Sequence, residues 1–181
     1  LPALHTKACL LEQRGSTGEL AQASDILAQL AAALGDPEHQ HALYVRAGLL
    51  AVRARDPGRA WRPLARALEL DPTSGPAFSA LWRAREQHGK EGAVSLLGPL
   101  QRRFDALAAA RELSPEAARA IARVVEASDG TAAAIGLLER AVGTFGEAVP
   151  LRVDLARLYA RAGRGPDAAK QLREALAREP S

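Results

Sequence analysis

Residues 60–72 read Ala60-Trp61-Arg62-Pro63-Leu64-Ala65-Arg66-Ala67-Leu68-Glu69-Leu70-Asp71-Pro72, and residues 168–180 read Ala168-Ala169-Lys170-Gln171-Leu172-Arg173-Glu174-Ala175-Leu176-Ala177-Arg178-Glu179-Pro180. Both runs place Leu four residues after the first Ala, a second Ala at seven and Pro at twelve. Ala134, Leu138 and Ala141 keep the same offsets, with Gly146 where the proline stands in the other two. Ala134 and Ala168 are 34 residues apart. The segments ahead of each run also correspond. Tyr44, Ala47, Gly48 and Ala51 precede Ala60; Ile121, Ala122 and Val125 precede Ala134; Leu155, Ala156 and Tyr159 precede Ala168. A fixed period of this length marks a stacked repeat architecture, because one hairpin cannot bury its apolar face alone.

Outward from these runs the whole chain reads as helix. Ala and Leu dominate, and alternating β-branched runs are missing. Breakers recur at Gly15 to Gly18, Gly35-Asp36-Pro37, Asp56-Pro57-Gly58, Asp71-Pro72, Gly75-Pro76, Gly89, Asp129-Gly130, Gly146, Gly163 to Pro166 and Pro180. Ser114-Pro115-Glu116 is a strong helix start: Ser caps, Pro suits the first turn and Glu favours the positive helix end. Antiparallel helices approach closely only where small residues meet. Gly48, Ala60, Ala156 and Ala168 are therefore expected at helix crossings, with Leu and Tyr filling the gap to the next hairpin.

The composition excludes several function classes. The chain has 181 residues, 24 Lys plus Arg against 21 Asp plus Glu, and a single cysteine, Cys9. A net charge of +3 is too mild to announce nucleic-acid binding. One cysteine permits neither an internal disulfide nor a thiolate zinc site. No apolar run is long enough to span a membrane. All the basic residues except Lys7, Lys90 and Lys170 are Arg, and Asn and Met are absent, a bias expected of a GC-rich bacterial genome. His39 and His41, two apart, would diverge on a helix and make a poor metal pair. They read as solvated, and His5 and His88 as isolated. Cys9 reads as a buried structural thiol with no nearby histidine. Phosphate loops, nucleophile elbows and HExxH are missing, so neither a reaction, a cofactor nor a metal is expected. Leu1 in place of Met reads as the mark of an excised fragment, which leaves bacterial cytoplasm or periplasm open. The absence of an evident polar capping helix at the end raises self-association or continuation into another domain.

The period and these residues resemble the tetratricopeptide repeat, whose pattern is W-x2-L-G-x2-Y…A-x3-F…P. The resemblance implies an all-α, right-handed α-solenoid of five antiparallel hairpins, or ten helices. It divides the chain into a degenerate hairpin at 1–37 with helices near 3–14 and 18–34, a repeat at 41–74, a divergent hairpin at 75–112, and repeats at 115–148 and 149–181. Tyr44, Phe78 and Arg152 stand where the pattern has Trp. The 75–112 block keeps Phe78, Leu81 and Phe104 but is out of phase with the repeat that follows. Its Gly98-Pro99 falls inside the expected second helix, which should kink or break there.

In such an array the resemblance implies that first helices line a concave groove. Positions pointing there are Arg46, Arg53, Arg83, Arg119, Arg123, Arg157 and Arg161. Arg offers a planar fork for carboxylates or phosphates that Lys cannot match. Glu86, Glu116, Glu126 and Asp154 lie on the same face at i,i+3 spacings from Arg83, Arg119, Arg123 and Arg157. The face therefore reads either as a groove for an acidic ligand or as a solvated surface, with Arg46, Arg53 and Arg161 least neutralised. The expected function is a non-catalytic scaffold binding a partner protein or peptide, acidic in the groove reading, within a bacterial envelope, secretion, polysaccharide-export or signalling assembly. The alternative is a regulatory or substrate-recruiting part of a larger enzyme or transcription regulator. Nucleic acid is not expected, since RNA-binding grooves add aromatic stacking platforms. The carboxylate clamp of chaperone-binding relatives needs Lys and Asn at aligned positions, which this chain lacks.

Overall fold

The computed structural model describes residues 2–88 and 95–178. Among these residues there are ten α-helices and no strand. In order they are α1 (Pro2–Arg14), α2 (Thr17–Ala33), α3 (Pro37–Arg53), α4 (Pro57–Leu70), α5 (Gly75–His88), α6 (Leu97–Ala109), α7 (Pro115–Asp129), α8 (Thr131–Thr144), α9 (Val149–Arg161) and α10 (Gly165–Leu176). The expected breaks at Gly89 and Pro180 lie outside the described residues.

Side-chain caps explain several of the starts. Ser16, Asp36, Asp56 and Ser114 each accept a hydrogen bond from the backbone N–H three residues on. Asp36, Asp56 and Ser114 are each followed by Pro as the first helical residue, where its missing N–H costs nothing. The same rule settles Gly98-Pro99. These residues lie in the first turn of α6, so the helix begins there rather than kinking. Pro63 is the reverse case: it sits inside α4, buried, and the helix runs on to Leu70.

The chain divides into two compact units, 1–103 and 104–181, with the division inside α6. In the first unit α1 packs on α2 and α3 on α4. Their connections are a few residues long, so each pair runs antiparallel. Successive hairpins stack through α2 on α3 and α4 on α5, with α3 against α5 and α2 against α4. In the second unit α7–α8 and α9–α10 form hairpins joined through α8 on α9 and α7 on α9. The chain is thus an all-α solenoid built from helix hairpins.

The crossings use the small residues. A Cβ built on Gly48 would lie 2.3 Å from Cγ and Cδ2 of Leu64, so α3 and α4 touch at a point where only glycine fits. Ala60, Ala156 and Ala168 are all buried. Trp61 is fully enclosed, and its indole N–H has no hydrogen-bond partner. Arg103 ties α6 to the α4–α5 turn: it donates to the carbonyls of Pro72 (2.9 Å) and Ser74 (3.2 Å), and its guanidinium lies 4.6 Å from the Phe78 ring.

Candidate functional site

The arginines singled out by the sequence fall into two clusters, one in each unit, plus Arg83. In the first unit Glu12 on α1 receives two arginines from α3. Arg46 donates through Nε (3.1 Å) and Nη2 (2.5 Å), and Arg53 through Nη1 (3.3 Å). The hydrogen bond to Glu12 holds the Arg46 guanidinium above even its usual high range. In the second unit two carboxylates each receive two arginines from the opposite first helix. Asp154 on α9 accepts from Arg119 Nε (2.6 Å) and lies 3.8 Å from Arg123 Nη2. Glu126 on α7 accepts from Arg161 Nη1 (2.5 Å) and lies 3.5 Å from Arg157 Nη2. Arg83 on α5 is exposed and has no ion pair among the described residues.

Two expectations are corrected here. The acids do not pair along their own helices at i,i+3 among the described residues; Glu126 and Asp154 bridge neighbouring first helices. Glu86 instead accepts from the Trp82 indole N–H at 2.9 Å. Nor are Arg46, Arg53 and Arg161 the least neutralised, since Glu12 and Glu126 hold them. Glu12 escaped the sequence reading because α1 belongs to the degenerate hairpin, where no repeat register places its side chains.

The geometry has a plain chemical consequence. Glu126 and Asp154 are buried while their arginines are partly exposed. Each carboxylate therefore holds guanidinium groups of the neighbouring first helix; a guanidinium carries five N–H donors, more than one carboxylate takes up.

Arg152 is different in kind. It occupies the position where the repeat pattern has Trp, and it is buried. It donates to Gly146 O (3.0 and 2.9 Å) and Gln171 Oε1 (3.0 Å), and also pairs with Glu174. It closes the α9–α10 hairpin with polar contacts where an aromatic ring would pack. Tyr159 on α9 donates its hydroxyl to Glu139 Oε1 on α8 at 2.6 Å, and Arg164 lies 4.3 Å above its ring. Burial and that hydrogen bond push the phenol up to about 12.

The remaining candidates also moved. Cys9 is only half-buried, Leu10 beside it is exposed, and the thiol has company. His5 Nδ1 is 3.9 Å from Sγ and Arg46 Nη2 is 3.7 Å. His5 stands one helical turn before Cys9, so the i,i+4 spacing was the signal that could have found it. His41 is not solvated: its ring is largely covered and its Nε2 lies 4.0 Å from Asp71 Oδ2. His39 pairs with Asp36, which raises the imidazole above its ordinary value. Among the described residues no group of three or more His, Cys, Asp or Glu could hold a metal ion. No described helix is long and apolar enough to cross a membrane.

A pocket of about 320 Å³ opens in the first unit among α1, α2 and α3. Leu30, Leu34, Ala42 and Leu43 make it apolar, with His5 and His39 as its polar members. It was invisible in the sequence because its lining comes from three helices.

A family model described as the tetratricopeptide repeat matches residues 127–181. No curated protein matches the chain. Among solved structures the chain is similar to one described as the crystal structure of MamA, at 19% identity over 89% of each chain with a TM-score of 0.46. A second, described as the crystal structure of MamA protein, shows 18% identity over 90% of this chain and 93% of that one, with a TM-score of 0.47. At these values the likeness assigns no function.

Proposed function

We propose that this chain, whose residues 127–181 match the tetratricopeptide-repeat model, is a non-catalytic protein-binding module whose first helices hold an acidic segment of a partner protein. One observation carries the reading. In the second unit Glu126 and Asp154 each hold arginines of the neighbouring first helix, which orders these guanidinium groups before a ligand arrives. Pre-ordering matters because a long side chain otherwise loses rotamer freedom on binding, at about 0.5–1.5 kcal/mol each. Planar forks so held suit bidentate contact with carboxylates. In the first unit Arg46 and Arg53 on Glu12 repeat the arrangement, and Arg83 adds an exposed cation on α5.

The test must respect the pairing. Reversing Arg123 and Arg157 to Glu would set new carboxylates beside Asp154 and Glu126 and destabilise the hairpins by repulsion. Arg157→Gln with Arg161→Gln removes charge and keeps a hydrogen-bond donor near Glu126. Binding of a fluorescent glutamate-rich peptide is followed by anisotropy at low and high salt. The double variant should bind about tenfold or more weakly, corresponding to about 1.4 kcal/mol, with a shallower salt dependence and an unchanged circular dichroism spectrum. Equal affinity in the folded double variant would refute the assignment of the acidic segment to this face.

A further inference from the structure

On α1 an imidazole and the chain's single thiol share one helix face. His5 and Cys9 are four residues apart, so their side chains meet across one turn. Nδ1 of His5 lies 3.9 Å from Sγ of Cys9. His5 is exposed and Cys9 half-buried, so both donors can be reached from solvent. When the thiol proton points at Nδ1, the imidazole carries its own proton on Nε2 and turns the Nδ1 lone pair to the sulfur. A cation that displaces the thiol proton then meets a thiolate and a nitrogen lone pair together. At bond lengths of about 2.3 Å to sulfur and 2.0 Å to nitrogen, one ion touches both donors when they stand about 3.5–4.3 Å apart, from a tetrahedral to a linear angle. The observed separation falls inside that window.

Two features of the surroundings say which cation fits. The first is the number of donors. Glu12 is the next acid on this face, but its Oε2 accepts from Arg46 and its Oε1 from Arg53. No third His, Cys, Asp or Glu completes a set among the described residues. Structural zinc takes four ligands, and calcium and magnesium take oxygen. A soft ion such as Cu(I) is selected by thiolate and also accepts imidazole. The second feature is charge. Nη2 of Arg46 lies 3.7 Å from Sγ, and a guanidinium at that distance opposes added positive charge. Thiolate, neutral imidazole and a monovalent cation sum to zero, so such a centre carries no more charge than the thiol it replaces. A divalent ion on the same two donors would leave one positive charge facing Arg46.

We propose that His5 and Cys9 form a binding site for a soft monovalent metal ion, cuprous copper or its analogue silver, with Sγ and Nδ1 as the two protein donors. On binding, the thiol S–H bond breaks, bonds from Sγ and Nδ1 to the metal form, and the proton leaves to solvent. The metal keeps its oxidation state, so no electron is transferred. The site does not depend on what the arginine clusters bind.

The test titrates the 181-residue chain, kept reduced and free of oxygen, with Cu(I) in competition with a colorimetric cuprous chelator. Ag(I) is titrated in parallel by calorimetry, and sedimentation at saturation gives the number of chains per ion. One ion should bind to one chain. His5→Ala removes an exposed side chain and should weaken binding about tenfold or more. Cys9→Ser should abolish it, and both variants should keep the parent circular dichroism spectrum. Zn(II) should show no saturable binding where Cu(I) saturates. Equal affinity in His5→Ala overturns the proposal, because the thiol would then act without the imidazole. Binding that survives Cys9→Ser, Zn(II) binding as tight as that of Cu(I), or no saturable Cu(I) binding also overturns it. One ion per two chains does so as well, by giving the sulfur to a bridge between copies.

Discussion

Replacing Gly48 by Ala sets two terms of opposite sign against each other. In a helix interior the change gains about 1 kcal/mol from propensity. Here the new Cβ would arrive 2.3 Å from Cγ and Cδ2 of Leu64 and 3.0 Å from Cδ1. Carbon atoms pack at about 3.5–4.0 Å, so the overlap exceeds an ångström. Leu64 cannot swing clear, because it is fully buried in the α3–α4 interface. Overpacking of this kind costs about 1–3 kcal/mol, and the size of the overlap points to the upper end. Gly48→Ala should therefore destabilise the protein by about 2 kcal/mol, the difference between propensity gain and overpacking cost. Leu64→Ala alone should cost about 3 kcal/mol from lost burial and the cavity left behind. In that background the obstructing atoms are gone, and Gly48→Ala should stabilise by about 1 kcal/mol. The assay is urea unfolding of the four proteins of the cycle, followed by circular dichroism. The decisive quantity is the sign change, equivalent to a coupling of about 3 kcal/mol between the two sites. If Gly48→Ala stabilises the parent protein, or if the two substitutions simply add, close contact at this crossing is not what keeps glycine there.

Two further outcomes are expected. Arg55 follows α3 at φ +56°, in the position that Gly163 fills after α9 at +75°, so an L side chain is held in the left-handed region. Arg55→Gly should stabilise the first unit by about 1 kcal/mol, readable in the urea midpoint, because only glycine adopts this conformation without strain; a destabilisation would refute the strain argument. The second concerns Tyr159, whose folded-state phenol is raised from the usual 10 to about 12. Between these values the unfolded chain has lost a proton that the folded chain keeps, so stability is complete below pH 10 and falls as pH rises toward 12. Tyr159→Phe should lack this alkaline decline in unfolding free energy, and a decline of equal steepness in that variant would contradict the assignment.

Much of the fold was legible in the sequence. The offsets from Ala60, Ala134 and Ala168, the capped starts at Ser114-Pro115 and the breakers between them are local signals, because helix geometry and turn chemistry act over a few residues. Even the crossing at Gly48 could be read, since a hairpin with a short turn leaves few ways for two helices to meet. Residues 127–181 match the tetratricopeptide family model.

Their partners were not legible. Whether Arg119 pairs with Glu116 on its own helix or with Asp154 on the next depends on side-chain direction and interhelical distance. A one-dimensional spacing carries neither. Glu12 on Arg46 and Arg53 and the apolar pocket among three helices were settled by which helices came together. Sequence alone determined the repeating unit, because backbone geometry and small residues act locally. Tertiary structure decided the charge pairing and the apolar pocket, because these depend on contacts between residues about one repeat apart.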